Sequence, residues 1–163
     1  MTTTPTDLGT AAPGAGPGGV SLSTMLCFDL YAASRALTSV YRDLLDPEGL
    51  TYPQYLVLVA LWTRGDQTVR QLVDRLRLDY GTMSPLIKRL EARGLVSRRR
   101  RADDERSVEV VLTDEGTALR DRLAHVPAAV GAAFGLDDDE LVTLGRLLGK
   151  VRRAASDHAA QPA

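Results

Sequence analysis

Residues 68 to 113 read TVRQLVDRLRLDYGTMSPLIKRLEARGLVSRRRRADDERSVEVVLT, and the order of elements in this stretch decides the fold. Thr68 is placed to cap a helix by accepting a first-turn N–H that has no intrahelical partner. Val69, Leu72, Val73 and Leu76 follow at the i, i+3, i+4, i+7 spacing of one apolar helix face. A short polar turn, Arg77 to Gly81, precedes a second helix in which Met83, Leu86, Ile87 and Leu90 repeat that spacing. Proline breaks a helix interior, but with Thr82 as the cap Pro85 falls in the first turn, where its missing N–H costs nothing. Gly94 is the expected left-handed stop. Val96 to Arg101 and Ser107 to Leu112 then read as paired strands around the tip Ala102-Asp103-Asp104-Glu105-Arg106. Val108, Val110 and Leu112 alternate, so one face of the second strand points to a core. Thr113, with Asp114 and Glu115 behind it, reads as the cap and acidic first turn of another helix.

Two short helices, a glycine stop and a hairpin in this order predict a winged helix-turn-helix, the module that lays its second helix in the major groove of DNA. Charge supports this locally. The whole chain of 163 residues carries a formal net charge of −1. Yet between positions 88 and 101 Lys88, Arg89, Arg93, Arg98, Arg99, Arg100 and Arg101 are opposed by Glu91 alone. A basic stripe on a near-neutral protein is an electrostatic footprint for phosphate. A solvated arginine face is the bland alternative, and it does not explain why the run coincides with the reading helix and the hairpin. On the second helix Tyr80, Thr82, Ser84 and Lys88 lie away from the apolar stripe.

Around this module the chain reads as helical. Residues 1–20, rich in Gly, Pro, Thr and Ala without periodicity, read as a disordered tail with neither the basic start nor the apolar core of a secretory signal. One long helix is expected from Ser21 to about Asp46, capped by Ser21 or Ser23 and stopped at Pro47. A second, opened by Tyr52-Pro53 and running to about Thr63, is apolar nearly all round and therefore buried. Thr113 to about His125 starts a further segment, Pro127 kinks or restarts it, and a last helix is expected from Leu136 to about Ala155. That last helix carries Leu141, Leu144, Leu147, Leu148 and Val151 as an apolar stripe. The expected organisation is a disordered tail (1–20) and one mainly helical domain (21–163) with a small β-wing. Within it a DNA-binding lobe (51–113) is flanked by a helical dimerisation region (21–50 and 114–157). Terminal helices that bury their stripes against a second subunit would space two reading heads about one DNA turn, roughly 34 Å, apart.

The segments LVDRLRLDYGTMSPLIKRLEARGLVSRRRRADDERSVEVVLTDEG and LCFDLYAASRALTSVYRDLLDPEGLTYPQYLVLVALW resemble the MarR family of dimeric winged-helix regulators. The Asp-Glu-Arg-Ser tip followed by a strand ending in Leu-Thr is the most recognisable element. The N-terminal part resembles the organic-hydroperoxide-sensing branch, the OhrR repressors of the one-cysteine type. The resemblance covers about Leu26 to Gly116; the C-terminal helices match only in character. It implies a homodimeric transcriptional repressor on an inverted-repeat operator in double-stranded DNA. Tyr80, Thr82, Ser84 and Lys88 would face the major groove, with Arg89 on phosphate. Arg106 would enter the minor groove, where arginine reads a narrow A·T-rich shape, and Asp104 would hold it. Asp79 and Arg98 match an ion pair that supports the DNA-binding lobe. The run from Arg99 to Arg101 is more basic than the family pattern.

The branch turns on Cys27, the one cysteine of the chain. A lone cysteine on an amphipathic helix is usually a small buried hydrophobe. Here its helical neighbours matter. At about 100° per residue, Tyr31, Ser34, Thr38 and Tyr41 all lie within about 40° of Cys27, a stripe of hydroxyl groups beside the apolar face of Leu26, Leu30, Leu37 and Leu44. A thiolate is the species that attacks a peroxide, and hydroxyl donors favour the charged form by hydrogen bonding to it. The resemblance implies that the sensing cysteine is held by two tyrosine hydroxyls from the partner subunit, at positions matching Tyr31 and Tyr41, with Tyr52 near the peroxide site. Tyr41 stands about 21 Å along the helix axis from Cys27, out of reach within one chain, so this contact demands a dimer. Oxidation would give a sulfenic acid and, with no second cysteine to resolve it, a mixed disulfide with a small cellular thiol or overoxidation.

Two other readings stand beside this one. A regulator of the same family could answer a phenolic or other non-oxidant ligand, with Cys27 structural. A one-cysteine peroxidase would need a Ser/Thr-x-x-Cys context with a nearby arginine, which is not seen; His125 and His158 read as surface residues. One cysteine and two histidines make no metal-ligand cluster. No catalytic residue, metal or cofactor is therefore expected. Without a run of about 18 apolar residues there is no membrane span, and the cytoplasm is the expected compartment.

Overall fold

The computed structural model describes Leu22, residues 25–100 and residues 108–160. Helix α1 spans Leu26–Leu45, and a 3₁₀ turn, Asp46–Glu48, leads from it into α2, Tyr52–Arg64. A two-residue strand β1 (Gln67–Thr68), α3 (Val69–Leu76), α4 (Tyr80–Ala92), β2 (Val96–Arg100) and β3 (Val108–Leu112) follow. Three helices close the order: α5 (Asp114–Arg122), α6 (Val126–Ala133) and α7 (Asp138–Ala159). The architecture is mainly helical with one small antiparallel sheet, a winged helix-turn-helix. The division between the two units of the chain falls within α1, after Ala36.

Local chemistry explains most boundaries. Thr68 Oγ1 accepts the Gln71 N–H at 3.2 Å and Gln71 Oε1 accepts the Thr68 N–H at 2.8 Å, a reciprocal capping box. At α2 the Gln54 side chain likewise accepts the Thr51 N–H at 2.9 Å. α4 ends where Gly94 takes a φ of 69°, a conformation that favours glycine. There the Gly94 N–H reaches Glu91 and the Leu95 N–H reaches Leu90, the paired bonds of a Schellman stop. Thr113 Oγ1 accepts the Gly116 N–H at 3.0 Å and donates to the Gly94 carbonyl at 2.6 Å, so one hydroxyl starts α5 and ties it to the end of α4. A Cβ at Gly116 would meet the Leu95 carbonyl at 1.9 Å, which makes glycine obligatory at this approach. The Gly116 carbonyl accepts from Trp62 Nε1 at 2.8 Å. Pro127, in the first turn of α6, restarts the chain rather than kinking it, because α5 has already ended at Arg122. α7 begins two residues later than Leu136 because Asp137 caps it, with its carboxylate on the Glu140 N–H at 2.9 Å.

The wing pairs Val96 with Leu112 and Arg100 with Val108. β1 adds a third strand on the far side of β3, pairing Gln67 with Val110. Nothing in the periodicity foretells a strand of two residues. One continuous core runs from Leu45 and Leu50 through Tyr55, Val57, Leu58 and Leu61, the α3–α4 residues Leu72, Met83, Ile87 and Leu90, and Val96 and Val110 of the wing. Leu119, Leu123, Val126 and Val130 of α5 and α6 belong to the same core. α7 contributes no buried residue. Residues 1–20, Ser21, Ser23, and the hairpin tip with Asp104 and Arg106 lie outside the described residues, so the expected tail, the expected caps of the first helix and the wing-tip contacts are not part of this description.

Candidate nucleic-acid interface and sensor helix

The reading helix starts earlier than its sequence suggests. Asp79, not Thr82, is the cap: its Oδ1 accepts the Thr82 N–H at 2.7 Å and its Oδ2 accepts the Thr82 hydroxyl at 2.9 Å. Both residue types cap well, but here the Asp79 carboxylate takes both Thr82 donors as charge-assisted bonds, one on each oxygen. The Thr82 backbone N–H, then its hydroxyl, hold the Asp79 carboxyl below the usual carboxylate range. Tyr80 therefore lies in the first helical turn, 55% exposed, and Pro85 lies inside the helix. Pro85 cannot donate to the Gly81 carbonyl, so one intrahelical bond is missing near this end. Met83, Leu86, Ile87 and Leu90 are buried, while Tyr80, Thr82, Ser84, Lys88 and Arg89 are all exposed. The expected face is present, with the Thr82 hydroxyl already engaged as a donor.

The basic run is less uniform than it reads. Arg93 donates to the Gly49 carbonyl at 2.8 Å and to the Glu48 carbonyl. Arg98 Nε pairs with Glu91 of α4 at 3.2 Å. Arg99 pairs with Asp66 at 2.8 Å and with Glu109, its cross-strand neighbour, at 3.3 Å. The ion pair that the resemblance implies between Asp79 and Arg98 is not formed: Asp79 is taken by the cap and Arg98 by Glu91. Lys88, Arg89 and Arg100 have no ion-pair partner among the described residues. The pairing of Arg98 with Glu91, and the partners Asp66 and Glu109 of Arg99, are what sequence reasoning missed here. Opposite charges at Arg99 and Glu109 become neighbours only once the hairpin register is known.

The N-terminal part of α1 carries Cys27, which is exposed. Tyr31, 58% exposed, accepts a hydrogen bond from Arg35 at 3.1 Å, and the Arg35 guanidinium sits 5.7 Å from its ring centre. Ser34 and Thr38 are exposed. In the second unit Tyr41 stacks on Tyr52 with ring centres 4.1 Å apart. Tyr55 lies 5.9 Å from Tyr41 and 6.1 Å from Trp62. Burial, and then the neighbouring phenols, push the Tyr41 hydroxyl pKa up; burial first and then Tyr52 do the same for Tyr55. The resemblance sets Tyr52 near the peroxide site without pairing it with Tyr41, and the sequence gives no sign of Arg35 or Tyr55.

Several large apolar side chains are exposed among the described residues: Leu26 and Phe28 on α1, and Val142, Leu147, Leu148 and Val151 on α7. Among the described residues no group of three or more His, Cys, Asp or Glu side chains is placed to hold a metal ion. Among them, too, no helix is long and apolar enough to cross a membrane.

A winged helix-turn-helix with an exposed polar and cationic reading helix is the architecture of a DNA-binding transcriptional regulator. The family model described as MarR family matches residues 50–108. The chain is 43% identical over 111 residues to the organic hydroperoxide resistance transcriptional regulator of Bacillus subtilis (strain 168), covering 68% of this chain and 76% of that protein. It is 48% identical over 120 residues to the HTH-type transcriptional regulator TtmR of Methylorubrum extorquens (strain PA1), covering 74% of this chain but only 62% of the relative. Among solved structures, reduced AbfR bound to DNA, a protein of Staphylococcus epidermidis, aligns with a TM-score of 0.70 at 33% identity, over 82% of this chain and 94% of that one. The chain belongs to the MarR family.

Proposed function

We propose that the protein is a homodimeric repressor that leaves an inverted-repeat operator when an organic hydroperoxide oxidises Cys27. The observation that carries this reading is the exposed, solitary Cys27 on a hydroxyl-bearing helix, in a chain 43% identical to a regulator named for organic hydroperoxide resistance. The sulfur lone pair forms an S–O bond with the terminal peroxide oxygen, the O–O bond breaks, and the alkoxide leaves and takes up a proton. The product is a sulfenic acid. A small cellular thiol then attacks that sulfur, forms a mixed disulfide and releases water. Tyr31 of the partner subunit and Tyr41 of the partner subunit would donate to the thiolate, with Tyr52 orienting Tyr41 through the stack.

Dimerisation would use residues 21–50 and 114–157, whose uncovered apolar side chains need a second surface. Residues 51–113 form the reading lobe. Tyr80, Thr82, Ser84 and Lys88 would meet the major groove and Arg89 a phosphate. Arg106, steadied by Asp104, would enter the minor groove. An added thiol at Cys27 shifts the long helices, and two heads that must fit one rigid duplex lose their spacing. A protein on operator DNA acts in the cytoplasm of a bacterial cell. The test is operator binding by reduced and hydroperoxide-treated protein. Wild type should be released and Cys27→Ser should bind equally in both conditions. Release of Cys27→Ser, or none of wild type, would turn the reading to a non-oxidant ligand.

A further inference from the structure

The link between α1 and α2 is held by two arginines that neither the reading face nor the sensor stripe uses. Leu45 and Leu50, which flank the link, are buried, and the Leu50 N–H donates to the Leu45 carbonyl at 3.1 Å. Between them Glu48 is engaged at both ends. Its carbonyl, with that of Gly49, accepts from Arg93 at the end of α4. Its carboxylate accepts from Arg122 Nε of α5 at 3.0 Å, and another Arg122 nitrogen donates to Glu115 at 2.7 Å. These carboxylates, Glu115 first, hold the Arg122 pKa above its ordinary value. Arg93 lies about 140° around the helix from Lys88 at 100° per residue, so it does not share the reading ridge.

We infer that Arg93 is a positioning residue that couples the end of α1 to the reading helix. A displacement of α1 at oxidation is transmitted through Glu48 and Gly49 to the C-terminal end of α4, and the reading helix turns with it. A planar guanidinium with two bonds to consecutive carbonyls fixes direction as well as distance, which a lysine ammonium cannot. Leu90 and Leu95, buried on either side of the Arg93 stop, make the helix end follow as a packed unit. This coupling rests on the release mechanism proposed above.

The experiment is fluorescence anisotropy on labelled operator, before and after cumene hydroperoxide, over a salt series. The ratio of the two affinities is the release ratio. Arg93→Ala should keep the wild-type salt slope in the reduced state and lower the release ratio about tenfold. Arg93→Lys should fall between the two. Lys88→Ala, a phosphate or base contact, should weaken binding in both states and leave the ratio unchanged. A wild-type ratio in Arg93→Ala would overturn the coupling. So would a salt slope reduced as in Lys88→Ala, which would make Arg93 a phosphate ligand. If thermal melting shows Arg93→Ala unfolded, Arg93→Lys carries the test: it keeps the charge but loses the two-carbonyl fork, and a lowered ratio supports the coupling while an unchanged one refutes it. A wild-type ratio of one refutes the sensing mechanism and this coupling together. That result is distinct from wild-type release with an unaltered Arg93→Ala.

Discussion

α4 and α7 are both amphipathic helices, yet among the described residues α4 buries its apolar face and α7 buries no side chain fully. α4, with 13 residues, buries Met83, Leu86, Ile87 and Leu90. α7, with 22 residues, buries none and exposes Leu147, Leu148 and Val151 on one stripe. The reading lobe is complete within one chain: its helices are capped, its core is continuous and Arg93, Arg98 and Arg99 of its basic run are engaged internally. The terminal helices are incomplete. An uncovered apolar stripe costs about 25 cal/mol for each Å² left in water, which is why the proposed dimer would place its interface there. The contrast separates what one chain builds alone, which is a reading head, from what the proposed function assigns to a partner, which is to space two heads and assemble a sensor.

The largest expected effect attacks the bare helix. Leu147→Asp combined with Val151→Asp puts two like charges on the stripe. It should split the dimer and weaken operator binding by about two orders of magnitude or more, since the second head no longer binds as part of one molecule. Sedimentation velocity and operator titration check this, and an intact dimer would move the interface off α7. Next comes the covered helix. Leu90→Ala, at a position with no exposure, should cost roughly 2 to 5 kcal/mol of unfolding free energy. Chemical denaturation reads it.

The cations sharpen the comparison further. Arg106→Ala should weaken binding to an A·T-rich site by roughly 1 to 3 kcal/mol, and Lys88→Ala should lower the salt slope by about 1. Arg99→Ala should leave that slope near wild type, because Asp66 and Glu109 already occupy its guanidinium. The smallest effect concerns pH. The Asp79 carboxyl titrates lower in the folded protein than in the unfolded chain. Its cap is therefore fully present above the unfolded carboxylate value, near 4, and is lost as pH falls through the lower folded value. Asp79→Asn should flatten that part of the acid limb in thermal melts and leave the neutral range alone.

Much of the lobe was legible because its signals are local. Thr68 with Gln71, Gly94, and Thr113 with its acidic pair each act within a few residues, and each sits where the pattern puts it. The start of α4 was misread because Asp79 and Thr82 are both capping residues three positions apart, and only the doubly bonded carboxylate decides between them. The arginines were misread for the opposite reason. Arg93 finds Glu48 and Gly49, and Arg99 finds Asp66, across long stretches of sequence, and a charge run carries no record of such partners. The stack of Tyr41 on Tyr52 joins residues from two helices, and periodicity within either helix is silent about it.

The claim that the sensor is assembled across two subunits can be tested by complementation. A heterodimer of one Cys27→Ser chain and one Tyr41→Phe chain holds a single thiol. If the site forms in trans, that thiol faces the intact Tyr41 of the Cys27→Ser subunit. The measurement is the rate of sulfenic acid formation with cumene hydroperoxide, read by dimedone labelling. It should equal the wild-type rate per thiol. A heterodimer of wild type with the doubly substituted chain, Cys27→Ser with Tyr41→Phe, should react at the slower rate of the Tyr41→Phe homodimer. The reverse pattern would place Tyr41 and Cys27 in one chain, and equal rates throughout would remove Tyr41 from the sensor; either result would contradict a site completed by the partner.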